Sequence, residues 1–387
     1  MDIRPGSLLD VFCGIGGLSA GFQRAGWVPV AGVDADKDLV AAYSKNFPGA
    51  EGIVGRVGEA TAEGRRLREA LVRDYGPGGA KLGGVEKLGG VEKLGGGAKL
   101  GGGAKLGGGA NKSKATQRLA AVVGGPPCVG LSDANRKRSV GAAVNRLPFA
   151  FVRLAAALQP DVIVMEQSKN LHLLKEAGSG GAAGRESIAE RLVRLLRRLG
   201  YRAEFALVRA EDYGVPQRRK RTILVATRID GTGGGRTASA PNYCFPPPTT
   251  TEGDPVPAGR VLKPPFSGEV LSGRDLELVK KRDAMTPQEV GAAGWFPRRA
   301  HTSMDLSKPS PTLRTNVHTA AGAFTLRDER RGTYHRMGLR EMLLLQTFPA
   351  RYALPPGVTK ARVGLGNAVP VRLGEAIARG LLTTTRP

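Results

Sequence analysis

Two spacings of apolar residues alternate along the chain. Short apolar runs bounded by Gly, Pro and charged residues predict buried strands over residues 7–12, 28–33, 119–123 and 161–165, with a shorter one near 53–54. Between them, apolar positions at helical spacing predict helices through 22–25 and over 37–46, 60–74 and 149–158, then a basic amphipathic helix over 189–199. Two more strands follow at 203–208 and 221–227. A regular succession of strand and helix predicts a doubly wound, mostly parallel α/β sheet. From about residue 230 the periodicity fades, and stretches such as Gly231-Thr-Gly-Gly-Gly and Phe245-Pro-Pro-Pro-Thr mark a second, irregular domain up to about 299. Helical spacing returns over 339–345 and again over 368–382, where an amphipathic helix is expected.

One segment fits neither period. Residues 78–111 are near-identical six-residue units, GGVEKL twice and GGGAKL twice with imperfect copies at both ends. Gly at two or three positions in six makes a helix or strand costly, and one Leu per unit is too little apolar surface to pack. The segment reads as a flexible insertion in a surface loop with no role in chemistry. A short β-roll-like stack is the alternative, and the near absence of Asp and Asn argues against a calcium-binding version.

Composition narrows the setting. At 387 residues and 41% hydrophobic, the chain has room for about two domains and a sizeable core. No apolar run approaches the ~20 residues of a membrane span, and no signal peptide is recognisable, so a cytoplasmic location is expected. Cys13, Cys128 and Cys244 are too few and too scattered for a disulfide framework or a metal cluster. The net charge of +24 points to a polyanionic partner, nucleic acid first. The excess is uneven: from Arg185 to Arg228 there are twelve Arg and Lys against five Asp and Glu. Phosphate contacts from such a face would make affinity salt-dependent.

Six places carry candidate chemistry. Ala121-Val-Val-Gly-Gly-Pro-Pro-Cys128 delivers a cysteine from the end of a buried strand through a rigid turn, the kind of scaffolding that holds a nucleophile in place. Phe12-Cys-Gly14-Ile-Gly16-Gly17 at a strand-to-helix junction looks like a nucleotide-binding glycine loop, serving NAD, FAD or S-adenosylmethionine equally well. Asp34, ending the next strand, fits an acid that bonds ribose hydroxyls. Glu166 ends an apolar strand on the edge where doubly wound sheets bind ligands, and it can serve as a proton donor. Alternation through Gln217-Arg-Arg-Lys-Arg221 puts Gln217, Arg219 and Arg221 on one face and Arg218 and Lys220 on the other. Near the end, Gly364-Leu-Gly-Asn367-Ala-Val369-Pro370 predicts a tight turn that aims an amide into a site.

The order and company of these pieces resemble one family, the DNA (cytosine-5) methyltransferases of the bacterial and phage, restriction-modification type. Asp10-x-Phe12-x-Gly14-x-Gly16-Gly17 looks like its cofactor motif, and Gly124-Gly-Pro-Pro-Cys128-Val-Gly-Leu-Ser132 like its nucleophile motif. Glu166-Gln-Ser is similar to its Glu-Asn-Val motif, and Gln217 to Arg221 to its Gln-x-Arg-x-Arg motif. Lys308-Pro-Ser-Pro-Thr312 and Gly366-Asn-Ala-Val-Pro370 resemble its last two, with Leu345-Gln-Thr-Phe-Pro349 between them. The likeness spans nearly the whole chain outside the repeat and residues 231–300. The chain departs from the family's usual pattern at Val129 and Leu131 after the cysteine, and at Gln167 and Ser168 after the glutamate. It also lacks the usual adenine-binding Asp around residues 55–59.

The resemblance implies a Rossmann-like methyltransferase domain using S-adenosylmethionine, plus a small target-recognition domain. Residues 1–230 would be catalytic, 231–305 would read the target, and 306–387 would return to the catalytic domain and end in a helix. It implies Cys128, Glu166, Arg219 and Arg221 as catalytic residues. Phe12, Gly14, Gly16, Gly17, Asp34, Ala35, Pro126, Leu147, Asn367 and Val369 would bind the cofactor, and no metal is expected. The implied partner is double-stranded DNA, met by a monomer, with any cognate restriction endonuclease acting separately. A transfer-RNA methyltransferase of the same superfamily is the alternative substrate class, which the long 231–305 region disfavours. A non-catalytic DNA-binding relative is disfavoured by intact Cys128, Glu166 and Arg219.

Overall fold

A computed structural model of the chain describes residues 3–58, 61–81, 118–127, 146–173, 175–176, 186–229, 243, 245–250, 254–286, 289, 303–315 and 324–383. Of the expected repeat, only 78–81 fall among these; Cys128, Val129, Leu131 and the rest of 128–145 lie outside them, as does much of 231–305.

Seven strands form one sheet: β1 (Ser7–Val11), β2 (Val28–Asp34), β3 (Glu51–Val54), β4 (Ala121–Gly124), β5 (Val162–Ser168), β8 (Tyr201–Arg209) and β9 (Lys220–Arg228), with β6 (Lys175–Glu176) and β7 (Glu186–Ser187) a separate two-residue pair. Their order is β3-β2-β1-β4-β5-β9-β8. The pairings are parallel except the two made by β9, which runs antiparallel to β5 on one side and to β8 at the edge. The mostly parallel α/β sheet expected from the strand–helix alternation is therefore the one found.

The two-residue period explains why both faces are buried. Leu9, Val11, Val122, Ile163 and Met165 point into one core, while Leu8, Ala121, Val123, Val162 and Val164 point into the other. The first core is covered by α3 (Ala62–Tyr75), α4 (Leu147–Leu158), the short α5 (Asn170–Leu173) and α6 (Ile188–Arg198), whose Leu71, Phe151, Leu154, Leu171, Leu192 and Leu196 face inward. A capping box between Ser187 and Glu190 starts α6. The second core is covered by α1 (Gly17–Arg24) and the last helix, α10 (Val371–Leu382). Helix α2 (Lys37–Asn46) follows β2, its N-terminus capped by Asp36, and its Tyr43 joins a third cluster with Ile15 and Leu365.

The irregular region holds more order than its composition predicts. Residues 245–250 pack on the segment between β8 and β9: Thr249 and Thr250 donate backbone N–H to the Asp212 carbonyl at 2.8 and 3.1 Å, and the Tyr213 hydroxyl donates to the Pro246 carbonyl at 2.8 Å. Helix α7 (Gly273–Asp283) and the antiparallel hairpin β10 (Thr325–Asp328)–β11 (Thr333–Arg336) come next. The hairpin is tied back by Leu271 N–H to Tyr334 O (2.7 Å) and Arg336 N–H to Glu269 O (2.8 Å). Helix α8 (Leu339–Leu345) then leads into α9 (Val358–Asn367), where a tight turn was expected at 364–370. Gly364 and Gly366 do not serve a turn there. An added Cβ would meet Ile15 at 2.9 Å from Gly364, and the Arg314 backbone at 2.8 Å from Gly366, so the glycines permit close packing of a helix. Among the described residues, no helix is long and apolar enough to cross a membrane.

The closure of the chain's end onto its beginning rests on one crossing. A Cβ on Gly21 of α1 would lie 2.6 Å from the backbone of Gly374 and Glu375 in α10. Gly21→Ala should therefore cost about 1–3 kcal/mol in urea unfolding. Gly49→Ala, placed where nothing lies within 4 Å, should stay within about 0.5 kcal/mol of the parent. Equal effects from the two would remove the crossing as the reason.

Candidate active site

Strand order reverses between β1 and β4, so the loops after them diverge at the carboxyl edge of the sheet and open a crevice. A cavity of about 1010 Å³ occupies this place. Three walls enclose it, each built from a different part of the chain.

The first wall is the glycine loop. Phe12 lines the cavity with φ 62°, a left-handed conformation that a bulky residue adopts only under constraint. Two bonds impose it: Cys13 N–H to Val33 O (3.0 Å) and Gly16 N–H to Cys13 O (2.8 Å). Gly14 and Gly17 line the cavity, and Gly17 lets the chain pass, since a Cβ there would lie 2.3 Å from Val369 O. Gly16 turns the loop at φ 90° against Phe47 and Tyr43, away from the lining. Asp34 ties the loop to β2, accepting from Gly14 N–H through Oδ2 and Asp36 N–H through Oδ1, both at 3.0 Å. A carboxylate offers about four lone-pair sites, so Asp34 retains capacity for a ligand. Burial raises its pKa above the ordinary carboxylate value, against the lowering effect of those backbone bonds. Ala35, Gly55, Arg56, Val57 and Gly58 continue this wall.

Asp10 was quoted as part of a motif but not expected in the site. It lies on the Leu8 face of β1, is 1% exposed and lines the cavity. Its Oδ2 accepts from Ser19 Oγ at 2.7 Å, and Ser19 Oγ also meets Tyr43 Oη at 2.9 Å. Burial pushes its pKa up to about 7, with the Ser19 bonds opposing and Asp34 adding repulsion. An acid inside the apolar run Leu8-Leu9-Asp10-Val11 was the signal that could have marked it.

The second wall faces the first. Pro126, Pro127, Leu147, Glu166, Gln167, Ser168 and Arg221 belong to it. The antiparallel start of β9 sets Arg221 opposite Ser168, two positions from Glu166. Arg221 Nε lies 2.7 Å from Glu166 Oε1, with the side chains 18% and 10% exposed. The contact is an ion pair off the hydrogen-bond direction, so the buried Glu166 Oε1 keeps an unused bonding direction. Gln167, which stands where the resembled family has Asn, donates its amide to the Pro126 carbonyl. That grips the chain two residues before Cys128.

The third wall is the end of α9, with Gly364, Asn367, Ala368 and Val369 lining the cavity. Arg219 supports it and also borders the cavity. Burial alternates as read from the sequence: Gln217 and Arg219 are 0% and 1% exposed, while Arg218 and Lys220 face solvent. Burial first, and Arg221 second, push the Arg219 guanidinium down to about 9, with Glu166 opposing. It is protonated at neutral pH. Its Nη atoms donate to backbone carbonyls of Leu313, Gly366 and Asn367 at 3.4, 3.1 and 3.4 Å.

The cavity thus joins most of the expected residues, while Cys128 lies outside the described ones and Gly16 sits behind the loop. Its lining carries three carboxyls, Asp10, Asp34 and Glu166, and three guanidinium groups, Arg56, Arg219 and Arg221. Burial holds the Asp10 and Asp34 carboxyls above their ordinary pKa, and Glu166 is paired with Arg221. The glycine cradle, the carboxyls and the apolar Phe12, Val57 and Leu147 fit a nucleoside bearing a positive sulfonium and ammonium group.

Asp10 also makes stability depend on pH. Unfolded, it titrates near 3.8; folded, near 7. The native state therefore holds the extra proton between these values, and stability falls as pH rises through that window, by about 1.4 kcal/mol per unit. The whole effect is on the order of 4 kcal/mol. Asp10→Asn keeps the shape of the neutral form and should lose this slope, gaining on the parent at pH 8 in urea melts. Unchanged slopes between pH 4 and 7 would refute the assignment.

Comparison with known proteins agrees with this geometry. Residues 6–67 and 110–383 match the family described as C-5 cytosine-specific DNA methylase. The chain is 24% identical to the type II methylase M.HgiDII of Herpetosiphon aurantiacus, over 97% of this chain and 95% of that protein. It is 23% identical to the type II methyltransferase M.NgoPII of Neisseria gonorrhoeae, over 98% and 96%. Its fold is similar to that of a Spodoptera frugiperda DNMT2 mutant, with a TM-score of 0.57 at 15% identity, covering 97% of this chain and 99% of that one. S. pombe Dnmt2 methyltransferase is similar in fold too, with a TM-score of 0.55 at 14% identity and 98% of both chains covered.

Proposed function

The chain belongs to the C-5 cytosine-specific DNA methylase family, so it is a DNA cytosine-5 methyltransferase, and we propose the following roles for its residues. The observation that carries the proposal is the single cavity shared by the glycine loop and the Glu166–Arg221 pair, with Pro127 at its edge leading into Cys128.

S-adenosylmethionine, when bound, supplies an electrophilic methyl group on sulfur. Phe12, Gly14, Gly17, Asp34, Ala35, Leu147, Asn367 and Val369 would hold it, with Asp10 facing its positive end. Pro126 would join them from the second wall, its carbonyl held by the Gln167 amide just before Cys128. The Cys128 thiolate adds to C6 of cytosine while Glu166 gives a proton or hydrogen bond to N3 through its unused direction. The ring becomes an enamine nucleophilic at C5, which takes the methyl group. Loss of the C5 proton and departure of the thiolate restore aromaticity. Arg221 holds Glu166 in place and offers its remaining N–H groups to O2, where charge develops. C5 and C6 are shielded in a duplex, so the target base must be flipped out of double-stranded DNA into the cavity.

Target reading falls to the irregular region begun at 231. The pairing of β10–β11 with residues 269–271 carries that region past 305, to about residue 336. Phosphate contacts come chiefly from the basic catalytic side.

Cys128→Ser should abolish methyl transfer from labelled cofactor to DNA while leaving the melting curve unchanged. Parent enzyme should form a covalent adduct with 5-fluorocytosine DNA, and an equal adduct from the variant would sink the role of Cys128. Label appearing in transfer RNA and not in DNA would overturn the substrate. Deleting 82–111 should leave activity within about threefold, an outcome read in the same assay.

A further inference from the structure

A helix ends with its last carbonyls unpartnered, and these need donors from elsewhere. At the end of α9 four consecutive carbonyls are met entirely by two side chains. Gln346 Nε2 donates to Leu365 O at 2.6 Å and to Ala368 O at 3.1 Å. Arg219 donates to the two between them, Gly366 O at 3.1 Å and Asn367 O at 3.4 Å. Gln346 is 0% exposed and Arg219 1%, so neither competes with water for these bonds. A buried cation at a helix C-terminus also opposes the negative end of the helix dipole.

A third side chain locks the two together. Gln217 Nε2 donates to Gln346 Oε1 at 3.0 Å, and Gln217 Oε1 accepts from Leu313 N–H at 3.0 Å. Arg219 takes the Leu313 carbonyl from the other side. Both amides are thus oriented at each end, leaving one arrangement. The residues held this way include Asn367, Ala368 and, one further on, Val369, which form the third wall of the cavity. The Leu345-Gln-Thr-Phe-Pro349 stretch touches no cavity atom itself. Its glutamine acts through α9.

We propose that Gln346 and Arg219 are positioning residues that cap the end of α9 and thereby set the affinity of the cavity for the methyl donor. The proposal rests on the cofactor reading above. It gives Gln346 a part in binding without contact, and it makes Arg219, which also borders the cavity, a brace of the cofactor wall, distinct from Arg221 beside Glu166.

Gln346→Glu keeps size and the bond from Gln217 but turns the donor toward two carbonyls into an acceptor. Gln346→Met keeps length and removes both donor and acceptor. Arg219→Lys keeps the charge but lacks the planar fork that now serves three carbonyls. S-adenosylhomocysteine titrated calorimetrically into full-length parent and variants should bind each variant at least tenfold more weakly. For the Gln346 variants the apparent KM for S-adenosylmethionine should rise by a similar factor, with kcat at saturating cofactor within about threefold. Hydrogen exchange should quicken in peptides covering 358–371 and stay unchanged over β5 and β8. Parent that does not bind S-adenosylhomocysteine overturns the cofactor reading itself. Parent that binds, with variants within twofold of it, overturns this inference alone. So does a loss confined to kcat, or loss of cooperative melting in all three variants, which would make the cap a requirement of the whole fold.

Discussion

Four backbone carbonyls at the end of α9, the first two from buried residues, are satisfied by a guanidinium and an amide that are themselves buried. Buried polar groups left unpaired cost on the order of 1–3 kcal/mol each, so this end of the helix leans on Arg219 and Gln346. The arrangement draws together residues far apart in the chain: Gln217 and Arg219 before β9, Leu313 on the returning segment, Gln346 at the end of α8. The wall they hold is one side of the cavity, and the glycine loop, through Gly17 against Val369, is fitted to it. The shape of the site therefore depends on a polar cluster that lies behind it.

Charge is arranged in layers. The chain is strongly basic, as a protein that meets phosphates is expected to be, yet its cavity is lined by Asp10, Asp34 and Glu166. Basic side chains outside favour the polyanion. Inside, those carboxyls are matched by Arg56, Arg219 and Arg221, and the Arg221–Glu166 pair sets the two signs against each other.

Much of this was legible beforehand. The succession of strands and helices along 7–227 was readable because a sheet buried on both faces imposes apolar runs of a fixed length and alternation. The glycine loop, Glu166 and the basic alternation through 217–221 were readable for the same reason: each sits at a strand end, where the pattern breaks in a characteristic way. The helix at 358–367 was not readable. Its glycines look like turn residues, and their actual use, admitting Ile15 and Arg314 to the helix surface, exists only once those distant residues have arrived. The order within 254–336 was hidden similarly, since its hairpin and α7 are held by contacts across the region rather than by a repeating pattern of their own.

By itself, then, the sequence determined the sheet, its edge, and the kinds of side chain delivered to that edge, because these follow from local period and from residue chemistry. Alternation put Arg219 and Arg221 on one face and could say no more. Which of the two meets Glu166 and which is spent on the carbonyls of α9 was decided by tertiary structure alone. The reason is physical: a guanidinium goes to whichever acceptors are buried and unpaired near it, and those acceptors come from a segment almost 150 residues further along.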